Sequence, residues 1–99
     1  MYTHVVAWNF KPEVKEEEKA KIKADAVEAF HTLIGKVPGL LSAEFKGNLI
    51  EGSTRDMCLV TTHEKAEDIA AYGAHPEHQA VANTFVRPYT CDRIAVNFE

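Results

Sequence analysis

The most legible strand in the chain is Tyr2-Thr3-His4-Val5-Val6-Ala7-Trp8-Asn9-Phe10. Successive side chains of an extended strand point to opposite faces, which puts His4, Val6, Trp8 and Phe10 on one side and Val5 and Ala7 on the other. Apolar groups occur on both sides, so neither face is suited to bulk water. If helices cover one face, something else must cover the second.

Downstream, Lys11-Pro12-Glu13 ends the strand, and Val14 to Gly35 is rich in the helix formers Glu, Lys and Ala. Ile22, Ala26, Phe30, Leu33 and Ile34 recur at three-to-four spacing and predict an apolar stripe. Glu16, Glu17, Lys19, Lys21 and Lys23 fall on the wet side, where Glu17 and Lys21 are expected to pair. Gly35 stands where a helix-closing residue belongs. Val37-Pro38-Gly39 signals a turn, Leu40 to Lys46 a short edge strand, and Asn48 to Thr54 a loop. Asp56 to His63 is a third strand, apolar on both faces through Met57, Cys58, Leu59 and Val60. Lys65 to Ala74 is helical, and a last strand, Tyr89 or Thr90 to Phe98, turns Ile94, Val96 and Phe98 one way.

The order is β-α-β-β-α-β, the ferredoxin-like pattern of an α+β domain over residues 1–99. Its two right-handed crossovers place both helices on one side of a four-stranded antiparallel sheet. The other face, with Val5, Ala7 and one side of the third strand, is expected to be closed by a second copy packing sheet to sheet as a dimeric α+β barrel.

Composition narrows the partners. An apolar fraction of 45% is that of a globular protein, and a net charge of −4 with no basic stripe excludes nucleic acid and anionic membrane. Cys58 and Cys91 form no C-x-x-C pair and are too few for a disulfide scaffold, so reduced thiols are expected. No leader-like segment or bilayer-length apolar run occurs, and a cytoplasmic location is the expectation.

Chemistry concentrates in Tyr72-Gly73-Ala74-His75-Pro76-Glu77-His78. Pro76 lacks an N–H and pushes His75 out of the α region, so the helix breaks there. Proline suits the first position of a new helix, which predicts a second segment from Pro76 to Arg87 with His75 as its N-cap and Val81 and Phe85 on one face. His78 then lies in the first turn, where the positive helix end disfavours an imidazolium and keeps the ring a potential base. Two readings stand open: a helix break in which His and Tyr satisfy one another, or a site. His4, His75, Glu77 and His78 are the set a metal would use, but no thiolate supports zinc and nothing in their spacing makes them converge. No metal or cofactor is expected.

His4-Val5-Val6 with Phe10-Lys11-Pro12, then Val37-Pro38-Gly39-Leu40 leading to Glu44 and Gly47, then Ile69-Ala70-Ala71-Tyr72 with His75-Pro76-Glu77-His78, together resemble the stress-responsive A/B barrel (Dabb) domain family. The resemblance spans essentially the whole chain and implies a dimeric α+β barrel. It also implies one possible activity, since a plant member closes a linear polyketide thioester by aldol condensation without a cofactor. Its functional residues correspond to His4, Tyr72 and His78. On that analogy His78 removes a proton α to a carbonyl, Tyr72 hydrogen-bonds to the carbonyl oxygen or to His78, and His4 orients them, with Val6, Trp8, His75, Val81 and Phe85 lining or supporting the pocket. A homodimer binding a small apolar or carbonyl ligand is the expected assembly. A cavity of roughly a few hundred Å³ receiving His4, Tyr72 and His78 separates the site from the purely structural reading.

Overall fold

The alternation of the first strand is the alternation of the whole sheet. In the computed structural model, which covers residues 1–99, β1 (Tyr2–Phe10) is followed by α1 (Glu16–His31), β2 (Leu40–Lys46), β3 (Met57–His63), α2 (Glu67–Ala74), α3 (Pro76–Phe85), a 3₁₀ turn (Arg87–Tyr89) and β4 (Thr90–Phe98). The four strands form one antiparallel sheet in the order β2-β3-β1-β4, with Val5 opposite Val60 on one side and Val96 on the other. This is the ferredoxin-like arrangement, with β2 at an edge. No helix is long and apolar enough to cross a membrane.

The helices cover the face that carries His4, Val6, Trp8 and Phe10. Val6, Trp8 and Phe10 join Phe45, Met57 and Leu59 from the sheet and Ile22, Ala26, Phe30 and Leu33 from the first helical region in one buried cluster. Phe45 is stacked between Trp8 and Phe30, with ring centroids 6.3 and 6.1 Å away. The opposite face is uncovered in the single chain, where Ile94, Val96 and Phe98 are 42, 55 and 52% exposed.

Two details of the first helix differ from the sequence expectation. The α-helix ends at His31, four residues before Gly35, and Thr32 caps it with its hydroxyl on the Ala29 carbonyl at 2.6 Å. Beyond that cap the α-helical phase no longer holds, so Leu33 is buried while Ile34 turns outward. Lys21 pairs with Asp25 at 2.8 Å rather than with Glu17, and Lys19 takes Glu16 at 2.6 Å. These are exposed pairs of little energetic weight.

At the far end of the sheet β4 carries one extra residue. Ala7 faces Ile94 and Asn9 faces Cys91, so two residues of β1 span three of β4. Asp92 absorbs the irregularity at φ +55°, a conformation Asp tolerates better than most residues. Asn9 Nδ2 donates to its carboxylate at 3.2 Å, and Arg55 Nε to its carbonyl at 2.9 Å. The bulge sets Cys91, Asp92 and Arg93 beside the space under α3.

Candidate functional site

Between the sheet and the second helical layer lies a cavity of about 410 Å³. Val6, Trp8, Phe30 and Leu59 give it an apolar floor, Ala82 and Val86 an apolar wall from α3, and Arg87, Asp92 and Arg93 an exposed polar rim. His4, Tyr72 and His78 all line it.

Each of the three is placed by the backbone described above. His4 projects inward by strand alternation, and its Nδ1 lies 2.5 Å from Asn97 Oδ1 on β4. The amide oxygen accepts, so Nδ1 is the donor. Tyr72 comes from the last full turn of α2. His78 comes from the first turn of α3, with its ring centroid 4.3 Å from that of Tyr72.

The helix break does more than change direction. His75, with φ −67° and ψ 135°, is extended, and its Nδ1 accepts from Glu77 N–H at 3.1 Å. In an unbroken helix Glu77 N–H would go to the Gly73 carbonyl. That carbonyl is instead released, and it accepts from His78 Nδ1 at 3.1 Å and Gln79 Nε2 at 2.5 Å. A carbonyl only accepts, so His78 Nδ1 holds its proton and Nε2 is left as a lone pair. Burial lowers the His78 pKa from its ordinary 6.5, Arg87, His4 and Arg93 lower it further, and the Gly73 bond works against them. The ring is thereby kept neutral near pH 7.

A fourth residue belongs to the group. His63, at the end of β3, is fully buried, with its ring centroid 5.2 Å from that of Tyr72 and 6.5 Å from that of His4. Its Nε2 meets Thr61 Oγ1 at 2.8 Å, while its Nδ1 has no partner. The Tyr72 hydroxyl has none either. Burial drives the Tyr72 pKa well above 10 and lowers that of His63, to which His4 adds. Buried polar groups are normally satisfied, so two unpartnered atoms in one cluster stand out. Sequence alternation held the signal for His63, since Met57, Leu59, Thr61 and His63 share the inward face.

Three residues expected to line or support the pocket do not line it. His75 spends its ring on the Glu77 N–H. Val81 is buried in the main core, and Phe85 packs on that core beside Ile22 and Tyr89. α3 presents two apolar stripes, and the one continuing from His78 at four-residue steps, Ala82 and Val86, faces the cavity. No three His, Cys, Asp or Glu side chains converge as a metal site would require.

The sequence profile of the stress-responsive A/B barrel domain matches residues 2–99. The chain belongs to the stress-responsive A/B barrel family. Solved structures agree in fold. A dimeric ferredoxin-like protein of unknown function from Bacteroides fragilis is 26% identical with a TM-score of 0.87, over 99% of this chain and 94% of that one. A dimeric ferredoxin-like protein from Thermobifida fusca is 22% identical, with a TM-score of 0.75 over 98% and 88% of the two chains. An Arabidopsis thaliana protein is 20% identical at TM-score 0.75, over 100% and 94%. Among curated proteins, none matches the sequence. The family thus accounts for the architecture of this A/B barrel chain and leaves its chemistry to be argued from the cavity.

Two expectations follow from the orphaned atoms and the lowered imidazoles. Tyr72→Phe removes a hydroxyl that is buried without a partner, so chemical denaturation should find the ligand-free protein stabilised by about 1 kcal/mol. A loss of that size instead would mean that the hydroxyl is bonded. For His63 and His78 the unfolded chain binds protons more readily than the native one, so stability should fall as pH drops through about 6.5 and level off below the folded-state values. Unfolding curves collected across that window should flatten in His63→Gln and His78→Gln, and equal slopes in all three proteins would contradict the assignment.

Proposed function

We propose that residues 1–99 act as one domain that pairs with a second copy and binds a small organic carbonyl compound in the cavity, where His78 removes a proton from the carbon next to the carbonyl. The observation that carries this reading is the Gly73 carbonyl on His78 Nδ1, which fixes the tautomer with Nε2 as the base. A neutral imidazole beside an apolar cavity of this size has the protonation state that general-base work needs at neutral pH.

Nε2 takes the α proton, the electron pair of the C–H bond moves toward the carbonyl, and negative charge develops on its oxygen. The Tyr72 hydroxyl donates to that oxygen, and His4 orients the phenol from the sheet. In an isomerase the enolate takes the proton back from the imidazolium at the same carbon or at another. In a cyclase the enolate carbon bonds to a second carbonyl carbon of the ligand, whose oxygen takes the π pair and then that proton. In a lyase the enolate pair expels a β leaving group, which takes the proton. The hydroxyl is sealed from solvent in the resting chain, so the ligand must turn the ring slightly to meet it. The unsatisfied atoms favour a ligand over a purely structural cluster, because a structural cluster would bond Tyr72 and the histidines to one another. The two free thiols, Cys58 and Cys91, suit a reducing compartment such as the cytoplasm.

Pairing is supported by the bare face of Val5, Val60, Ile94, Val96 and Phe98 and by the dimeric state of the relatives from B. fragilis and T. fusca. Sedimentation at micromolar concentration should give a dimer, and Val96→Lys should give a monomer; a monomeric parent chain would remove the pairing from the proposal. The chemistry is read by proton NMR as hydrogen–deuterium exchange at the α position of aryl alkyl ketones, acetophenone among them, in D₂O. Exchange should outpace that in free imidazole and slow about 100-fold in His78→Ala. Exchange no faster than with imidazole, or unchanged in the variant, would reject His78 as the base.

A further inference from the structure

The rim of the cavity carries positive charge that nothing in the chain neutralises. Arg87 and Arg93 both line it, and the chain's three ion pairs involve neither. Arg87 donates to two neutral amide oxygens, Gln79 Oε1 at 2.8 Å and Asn83 Oδ1 at 2.5 Å, so its guanidinium is held in place while keeping its charge. Arg93 is exposed, and no side chain holds it. Asp92 is the one carboxylate in the lining. It accepts from Asn9 Nδ2 at 3.2 Å and faces Cys91 Sγ at 3.7 Å, and it pairs with neither arginine.

From inside to outside the cavity therefore presents imidazoles and a phenol, then apolar walls, then two free cations. In a chain of net charge −4 this rim is a local exception. A purely apolar ketone would leave both guanidiniums unused. A ligand with an apolar body and an anionic end would use every zone, since arginine binds carboxylates through short charge-assisted hydrogen bonds.

We infer that the cavity takes a carbonyl compound bearing a carboxylate, whose anionic end is held by Arg87 and Arg93 while its apolar body lies against Val6, Trp8 and Leu59; this rests on the ligand-binding reading above. The two guanidiniums also bear on His78, whose protonated form they disfavour together with its burial. A carboxylate seated between them would offset that repulsion and strengthen the base when the matching ligand is bound. Arg87 and Arg93 would thus select the ligand and adjust His78 without touching the reacting carbon.

The test uses a matched pair, 4-oxo-4-phenylbutanoate and its methyl ester, with affinities taken from NMR shifts of the His4, Tyr72 and His78 rings. The acid should bind about tenfold tighter than the ester, and the gap should narrow as ionic strength rises. Arg93→Gln and Arg87→Gln should each erode the preference, and the double variant should abolish it, the acid losing about tenfold more affinity than the ester. Equal affinities in the parent protein, or a preference that survives in the double variant, would overturn the inference. Equal binding of both probes leaves the ligand-binding reading standing and removes only the carboxylate. If neither probe shifts the cavity rings, both readings fall together.

Discussion

A single backbone carbonyl, freed by a proline, sets the hydrogen bonding of the imidazole on which the proposed chemistry rests. Pro76 forces His75 into an extended conformation, and the His75 ring then takes the Glu77 N–H that an unbroken helix would have sent to Gly73. The released Gly73 carbonyl meets His78 and Gln79, and Gln79 in turn accepts from Arg87. One break thus sets the protonation pattern of an imidazole and ties down a guanidinium eight residues beyond Gln79. The arrangement is local, built within the stretch from Gly73 to Arg87, and it needs the sheet only as the opposite wall.

That wall has its own constraint. Strand alternation sends His4, Thr61 and His63 inward among Val6, Leu59 and Met57, so polar rings share a face with the apolar core. His4 is satisfied by Asn97 and His63 only in part by Thr61. The outward residues of the same strands, Val5, Val60 and Val96, line up across the register on a face the single chain leaves open. The proposed pairing and the proposed pocket are therefore two consequences of one pattern, read from opposite sides of the sheet.

Much of this could be read before any coordinates. Period-two alternation located the first strand, the Val37-Pro38-Gly39 turn the second, a run apolar on both faces the third, and Pro76 the helix break, because each signal acts within a few residues. His63 went unread in the sequence, although its inward position follows from that of Leu59 by the same alternation. Other features depend on phase across a discontinuity, which periodicity does not supply. Beyond Pro76, both Val81 with Phe85 and Ala82 with Val86 are apolar pairs four apart, and only the geometry of the His75 cap decides which pair faces the cavity. Beyond Thr32, Ile34 leaves the apolar stripe. The arginine rim is half legible: Arg93 alternates with the outward Ile94, Val96 and Phe98 and so faces inward, whereas Arg87 lies beyond the end of α3 in a 3₁₀ turn that no strand or helix period places.

His78 can serve as the proposed base toward the cavity only if Nδ1, and not Nε2, holds its proton. Long-range proton–nitrogen correlation NMR of the imidazole rings near neutral pH reads that directly, with His78 assigned by comparison with His78→Gln. A neutral ring protonated at Nδ1, with Nε2 showing the shift of an unprotonated nitrogen, is the result predicted here. A ring protonated at Nε2, or an imidazolium at that pH, would contradict it, because the Gly73 carbonyl would then no longer be leaving a base free toward the cavity.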